Sequence, residues 1–183
     1  MAYYYFDFKD ARKQDPRGLL TSLLDQLCDQ SPSFFDILLH LYSTHRRGAD
    51  QPSDDALLQS LEDMPRIVGK VPVFLVIDAA DECPDNCGIP SARGKVLEIL
   101  EDLIKLNLPN LRLFVTSRVE IDIRTALEPL TSNHISLHDE SGQSKDIVDY
   151  VTSIVNSDKM MKRWRAEDRE LVIETLSSRA GGM

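Results

Sequence analysis

Three acidic residues follow the most apolar segment of the chain. The run VPVFLVI, at residues 71–77, is followed directly by Asp78, and Asp81 and Glu82 come within the next four positions. Carboxylates this close together repel one another unless a cation or solvent compensates. Mg²⁺ is the natural cation, because it is usually held by one or two carboxylates together with phosphate oxygens. An acid can also orient a water for attack on phosphorus, so the pattern favours a site that handles phosphate.

A simpler explanation of these acids is structural. An aspartate after a strand often does no more than cap the following turn or helix. The longer pattern, an apolar run followed by D-A-x-D-E, is considerably more specific than a strand that ends in one aspartate. The small side chains of Ala79 and Ala80 would also let a nucleotide approach the end of the strand.

A second apolar run, NLRLFV, ends in Thr116, Ser117 and Arg118. In open parallel sheets, ligands bind beyond the carboxyl ends of the strands, where these residues would lie beside the acidic strand end. There they could bond a terminal phosphate, with Arg118 supplying positive charge. Alone, this second signal is weak, because Arg118 could equally be a surface residue paired with Glu120 or Asp122.

No phosphate-binding loop of the form G-x-x-x-x-G-K-[ST] occurs in these 183 residues. The nearest segment, Gly88–Val96, has five residues between its glycines and a valine where a magnesium-binding hydroxyl is needed. It also contains a proline, which removes a backbone N–H from any phosphate cradle. We therefore reject it, and no glycine-rich dinucleotide fingerprint is present either.

The elements that would position these residues alternate between strand and helix, which predicts an α/β fold built on a parallel sheet with helices on both faces. The uninterrupted apolar run before Asp78 predicts a strand buried on both faces. The predicted strands are Tyr3–Asp7, Val73–Ile77, Leu113–Thr116 and His134–Leu137. Apolar spacings of three and four predict helices at 18–30, 33–45, 56–68, 95–106, 120–130, 143–157 and 166–182, with Pro65 bending or ending the third.

Composition narrows the class of protein. Hydrophobic residues make up 42% and charged residues 28%, which is a globular balance, and the net charge of -9 disfavours a nucleic-acid surface. No apolar run approaches the roughly 20 residues that a membrane span requires. The N-terminus lacks the features of a signal peptide. Three cysteines favour a reducing, cytoplasmic location, and the lone CxxxC at Cys83 and Cys87 has no further ligands at zinc-site spacing.

Several segments together resemble one family. VPVFLVIDAADEC resembles the Walker B segment of NACHT domains, and LRLFVTSR resembles their sensor strand. AYYYFDFKDARKQ, followed by LLTSLLDQL, is similar to the segment after the phosphate-binding loop in fungal-type NACHT proteins, also described as nephrocystin-like N-terminal domains. ISLHDESGQSKDIVDYV and the closing AGGM fit the same family, so the resemblance covers nearly the whole chain.

This resemblance implies a nucleotide-dependent oligomerisation switch of the STAND class, related to NOD-like receptors. It implies a three-layer parallel sheet of the P-loop NTPase type, incomplete here, with Mg²⁺ and ATP or GTP as cofactors of the intact domain. By the same resemblance Asp78 holds the magnesium shell, Asp81 and Glu82 act on the attacking water, and Arg118 senses the terminal phosphate. Residues 1–138 would form a partial NACHT core, and 139–183 would begin the following helical segment.

In relatives, a first strand and the phosphate-binding loop precede the segment that begins here at Ala2. We therefore expect these 183 residues to be a fragment of a signalling NTPase that cannot bind or hydrolyse nucleotide alone. The alternative is a non-enzymatic interaction module or decoy that pairs with an intact relative or with itself. An unrelated magnesium-dependent phosphate-handling enzyme is disfavoured, because no nucleophile or paired acid is found on another strand.

Overall fold

Three parallel strands form the centre of the first part of the chain. In the computed structural model, which describes residues 1–85, 88, 90–136 and 141–179, the chain divides into two compact units, Met1–Thr131 and Ser132–Met183. The strands of the first unit are β1 (Ala2–Tyr5), β2 (Val73–Asp78) and β3 (Leu111–Val115), paired in the order β1-β2-β3. Tyr4 lies opposite Ile77, and Leu75 lies opposite Leu113. The prediction of an α/β fold with a parallel sheet is confirmed.

The predicted helices are all found, with boundaries displaced by a few residues, and residues 180–182 of the last prediction lie outside the described residues. Asp15, Ser53 and Ser91 begin three of them by accepting backbone N–H groups of the first turn, which are otherwise unpaired. The helices are α1 (Pro16–Cys28), α2 (Pro32–Thr44), α3 (Asp54–Ile67), α4 (Ala92–Lys105), α5 (Ile121–Leu127), α6 (Ser141–Ser157) and α7 (Ala166–Arg179). Pro65 lies inside α3, which ends two residues later.

The core lies against one face of the sheet. Apolar side chains of α1, α3 and α4 pack there on alternate residues of the strands, including Tyr4, Leu75 and Ile77. Five leucines on one stripe of α1 are almost fully buried, and burying each contributes about 1.5–3 kcal/mol. These leucines are Leu19, Leu20, Leu23, Leu24 and Leu27.

The other face of the sheet is exposed, which corrects the prediction of helices on both faces. Tyr3, Tyr5, Phe74 and Phe114 point away from the core and are between 36% and 56% exposed. The reason is topological. Successive parallel strands added in one direction are joined by right-handed crossovers, and these place every connecting helix on the same face. The apolar run of β2 is therefore an alternating strand in this fold, with burial on one side only.

The two edges of the sheet differ. On β1, the backbone N–H and carbonyl groups of Tyr3 point away from β2. The Gln26 side chain from α1 accepts this N–H at 3.1 Å and donates to this carbonyl at 2.7 Å. On β3, the backbone N–H and carbonyl groups of Leu113 and Val115 point away from β2. Backbone groups of successive residues point to opposite sides of a strand, and the N–H of Thr116 bonds to Ile77 O on β2. Within the described residues, no hydrogen bond reaches the backbone groups of Leu113 and Val115. A side-chain amide thus covers the β1 edge at Tyr3, whereas the β3 edge is open at Leu113 and Val115.

The fourth predicted strand, His134–Leu137, is not found. Residues 134–136 have no strand conformation and Ile135 is exposed, while Leu137 lies outside the described residues. A strand is held by hydrogen bonds to a neighbour, and this segment is not among the three strands of the described sheet. Alternation over so few residues was too weak a signal to establish a strand.

The second unit contains α6 and α7, which pack against each other. Between them lies a short 3₁₀ turn at Met161–Arg163, preceded by Asp158, whose carboxylate accepts the N–H groups of Met160 and Met161. Among the described residues, no helix has the length and apolarity that crossing a bilayer requires.

Candidate functional site

The ends of β2 and β3 meet through Thr116. Its backbone N–H donates to Ile77 O, and its carbonyl accepts Ala80 N–H, each at 2.9 Å. Its hydroxyl donates to the Asp78 carboxylate in a short hydrogen bond and accepts the Ala79 N–H at 3.0 Å. Ala79 adopts a left-handed conformation, with φ of 54°, which turns the chain away from the sheet. The hydroxyl therefore holds both the aspartate and the turn that follows it.

Asp78 is exposed at this edge, and its second carboxylate oxygen has no protein partner among the described residues. Those residues contain no group of three or more potential metal ligands, so they form no complete metal cage. Mg²⁺, however, usually takes only one or two protein carboxylates and completes its shell with water and phosphate oxygens. The residues present thus fit one side of a magnesium–phosphate site.

Asp81 is paired with Arg118. One oxygen of its carboxylate accepts the Arg118 backbone N–H at 2.9 Å, and the other lies 3.5 Å from Arg118 Nε. The Asp81 side chain is only 9% exposed, whereas that of Arg118 is 80% exposed. The pairing with Glu120 or Asp122 considered from the sequence is therefore replaced by one with Asp81. The outer part of the guanidinium stays free to meet an anion from solvent.

Glu82 and Ser117 are also engaged by the protein. The Glu82 carboxylate accepts the backbone N–H of Phe8 at 3.1 Å, and the Ser117 hydroxyl donates to the Arg118 carbonyl at 2.8 Å. All six candidate residues therefore lie at the carboxyl ends of β2 and β3, as the sequence led us to expect. Of their acids, Asp78 is the one most open to solvent, while Asp81 and Glu82 are less exposed and are bonded to backbone N–H groups.

Arg93 was not among the residues that the sequence pointed to, yet it contacts the acidic segment that follows β2, residues 79–85. It is the second residue of α4, and its side chain is only 13% exposed. Nε donates to Cys83 O at 2.9 Å, Nη2 donates to Asp81 O at 2.7 Å, and Nη1 lies 3.3 Å from the Asp122 carboxylate. The signal available in the sequence was a cation in the first turn of a helix, where the helix dipole disfavours positive charge.

The acidic segment forms one wall of a cleft of about 580 Å³. Four carboxylates and two guanidinium groups line it, so its net charge is negative. A bare polyphosphate would be repelled from this cleft, and a divalent cation would offset the repulsion. The lining residues include Phe8, Gln14, Asp81, Glu82, Asp85, Arg93, Arg118 and Glu120.

Comparison with protein families decides what these strands belong to. The family model described as nephrocystin 3, N-terminal, matches residues 1–118. The chain belongs to the nephrocystin 3 N-terminal family. The likeness to nephrocystin-like N-terminal domains noted from the sequence is thereby confirmed. No curated protein and no solved structure matches the chain.

The segment that matches the nephrocystin 3 N-terminal family runs from β1 to the end of β3. It therefore includes Asp78, Arg93 and Thr116–Arg118, and it ends before α5, which carries Asp122. The acidic end of β2, the polar end of β3 and the arginine beneath them all fall within this family segment.

The segment Gly88–Val96, rejected above as a phosphate-binding loop, has a structural role. Ser91 caps α4 by accepting Gly94 N–H at 3.0 Å and donates to the Asp85 carboxylate at 2.6 Å. Val96 is fully buried in the core. The backbone N–H groups of Arg93, Gly94 and Lys95 already bond to Pro84 O, the Ser91 hydroxyl and Ser91 O, so they are not free to cradle a phosphate.

Proposed function

We propose that the carboxyl edge of this sheet is the magnesium-facing part of a nucleotide site in a NACHT-type signalling NTPase, a nucleotide-dependent oligomerisation switch. One observation carries the proposal: Thr116 of β3 orients the Asp78 carboxylate of β2 and leaves its second oxygen facing solvent. A magnesium ion bound there would neutralise phosphate charge. The small side chain of Ala79, which is partly exposed, leaves room for a nucleotide beside the strand end, whereas Ala80 is buried in the core.

The geometry supports some of the proposed residue roles better than others. Asp78 would contribute one carboxylate oxygen to a magnesium shell, and the Thr116 hydroxyl would orient that carboxylate. The exposed guanidinium of Arg118 can reach a terminal phosphate. Asp81 and Glu82 would act on the attacking water only after giving up their bonds to the backbone N–H groups of Arg118 and Phe8. The arrangement described here therefore suits nucleotide sensing better than hydrolysis.

We further propose that the sheet is part of the three-layer P-loop NTPase fold. The exposed face of the sheet and the open edge of β3 support this, because a further strand and a second helical layer would cover both. Residues 1–138 would then be the NACHT core, and 139–183 would begin the next helical segment. A cytoplasmic location agrees with the free thiols of Cys28 and Cys83.

Alone, these 183 residues should bind ATP or GTP weakly and should not hydrolyse either. In P-loop NTPases, backbone N–H groups and a lysine of the phosphate loop cradle the phosphates, and a loop hydroxyl holds Mg²⁺. That motif does not occur in this sequence, and the acidic cleft supplies no substitute for it. The remaining site consists of carboxylates, Arg118 and the hydroxyls at 116 and 117.

A second candidate function is a non-enzymatic interaction module or decoy that pairs with an intact relative. The open edge of β3 favours it, because unpaired backbone groups on an edge strand are a template for pairing with another chain. Pairing with a relative requires no nucleotide, whereas the switch function requires Asp78. A substitution of Asp78 therefore distinguishes the two candidates, because it should impair the switch function and leave pairing with a relative unchanged.

Paramagnetic Mn²⁺, which accepts the same oxygen ligands as Mg²⁺, tests the site. With Mn²⁺ and ATP or GTP, we expect the NMR signals of Ala79 and Thr116 to broaden, and the Asp78→Asn variant to lose that effect. The exposed Asp63, on α3, gives a matched control as Asp63→Asn. Broadening that is absent, or that survives Asp78→Asn, would contradict the proposed site. Micromolar binding abolished by Asp78→Ala would contradict the prediction of weak affinity.

A further inference from the structure

We propose that Arg93 is a positioning residue that locks the acidic loop, residues 79–85, against α5. It does so by binding main-chain carbonyls of the loop and the carboxylate of Asp122 with one guanidinium. The inference rests on the proposed function, because the loop matters for activity only if it belongs to the nucleotide site. Its first test, however, needs no nucleotide.

Each of the three nitrogens of the guanidinium donates one hydrogen bond. Three of its N–H groups donate to Asp81 O, to Cys83 O and to the Asp122 carboxylate, and its backbone N–H donates to Pro84 O at 3.0 Å. A planar group with fixed donor directions can serve several acceptors at once, which a flexible ammonium does poorly. Arg93 therefore gathers the loop and α5 around one rigid centre.

The position of Arg93 within its helix points to the same role. The first turn of α4 contains Arg93 and Lys95 and no acid. Positive charge is unfavourable at a helix N-terminus, and burying a guanidinium costs further free energy unless acceptors compensate. The carbonyls of Asp81 and Cys83 and the Asp122 carboxylate are those acceptors. If Arg93 is removed, the carbonyl groups that it binds lose these partners.

The consequence concerns Asp81. Its main-chain carbonyl is held by Arg93, and its carboxylate is held by the backbone N–H of Arg118. Arg93 also binds Asp122, which lies on α5, four residues after Arg118. The loop, the end of β3 and the start of α5 are thus joined in a closed ring of contacts. Arg93 takes no part in the hydrogen bond between the Arg118 N–H and the Asp81 carboxylate. Breaking the ring at Arg93 should nevertheless loosen that bond.

Hydrogen exchange of the Arg118 amide measures this loosening directly. In the Arg93→Met variant of the full chain we expect its exchange to rise roughly tenfold, as expected when a charge-assisted hydrogen bond is weakened. Arg17 is the matched control, because it is also the second residue of its helix and bonds Asp54 at 2.6 Å. Arg17→Met should leave exchange at Arg118 unchanged, whatever its effect on overall stability.

Two further variants separate positioning from general stability. Arg93→Lys keeps the charge but not the planar set of donors, so we expect exchange between that of wild type and Arg93→Met. Asp122→Asn weakens only the hydrogen bond between Arg93 and α5, so it should raise exchange at Arg118 less than Arg93→Met does. This variant gives a result even if Arg93→Met fails to fold. Equal exchange at Arg118 in wild type and Asp122→Asn, or equal effects of Arg93→Met and Arg17→Met, would overturn the proposal.

Adding Mn²⁺ and ATP to the same samples distinguishes this inference from the proposed function. Faster exchange at Arg118 without any Asp78-dependent broadening would leave Arg93 a positioning residue and reject the nucleotide site. Broadening at Ala79 that is unaffected in Arg93→Met, together with unchanged exchange, would reject the role of Arg93 and retain the site.

Discussion

At the scale of single residues, the hydroxyl of Thr116 makes two hydrogen bonds at the strand ends. It donates to Asp78 and accepts from Ala79 N–H, so it links two strands and a left-handed turn. We expect Thr116→Val, which keeps the shape and removes the hydroxyl, to lower the free energy of unfolding by about 1 kcal/mol. Urea unfolding measures this change.

Thr125 provides the control for this prediction. Its hydroxyl donates only to Ile121 O, one turn earlier in the exposed surface of α5. Thr125→Val should change stability by less than Thr116→Val does, because a solvent-exposed backbone carbonyl keeps water as a partner. Equal losses in the two variants would mean that Thr116 does no more than an ordinary surface threonine.

Burial of two thiols predicts a response to alkaline pH. Burial raises the pKa of Cys83 from 9.0 to about 12 and that of Cys28 to about 11. The buried form is the neutral thiol, so its contribution to stability is complete below pH 9.0 and is lost as the pH rises through these higher values. The free energy of unfolding should therefore fall above pH 9.0.

The Cys83→Ala variant identifies the thiol responsible. We expect it to be less stable than wild type at neutral pH, because it leaves a small cavity at a fully buried position. The difference should narrow as the pH rises above 9.0, since only wild type must then ionise that thiol. A difference that stays constant with pH would show that ionisation of Cys83 is not linked to unfolding.

At the scale of secondary-structure elements, Gln26 protects the edge of β1. Its amide satisfies both the N–H and the carbonyl of Tyr3, as a neighbouring strand would. We expect Gln26→Ala to lower the free energy of unfolding by about 1 kcal/mol and to increase aggregation, because it uncovers an edge strand. Gln59→Ala on α3 is the control, since Gln59 bonds only the nearby Asp63 carboxylate. Light scattering that rises equally in both variants would refute the sealing role.

At the scale of the whole molecule, an aromatic face of the sheet lies beside its open edge. Phe74 and Phe114 stack with ring centroids 6.4 Å apart, and Phe114 is 55% exposed on β3. Exposed apolar surface next to unpaired backbone groups favours association between chains. We expect the sedimentation mass of wild type to rise with concentration, and Phe114→Lys to suppress that rise.

Phe35 supplies the control for self-association. It is 56% exposed, close to the 55% of Phe114, but it lies on α2 away from the sheet. Phe35→Lys adds the same charge and should leave the concentration dependence of the mass unchanged. A wild-type chain that stays monomeric at every concentration would contradict the prediction, as would equal effects of the two lysine substitutions.

The sequence by itself determined the helices, the three strands of the sheet and the chemical character of the strand ends, although it also predicted a strand at His134–Leu137 that is not found. Helix positions follow from apolar spacings and from caps such as Asp15, Ser53 and Ser91, which are local properties. The placing of Asp78 beside Thr116 was predictable too, because parallel strands bring their carboxyl ends to one edge. The family likewise follows from residues within the first 118 positions.

Only the tertiary structure decided which groups are partners. The pairing of Asp81 with Arg118, the contacts of the Arg93 guanidinium and the amide of Gln26 on β1 all join residues at least 10 positions apart. Periodicity shows that a side chain alternates or repeats, but not what covers it. For that reason the apolar run of β2 indicated burial on two faces, while the direction of the crossovers left one face exposed.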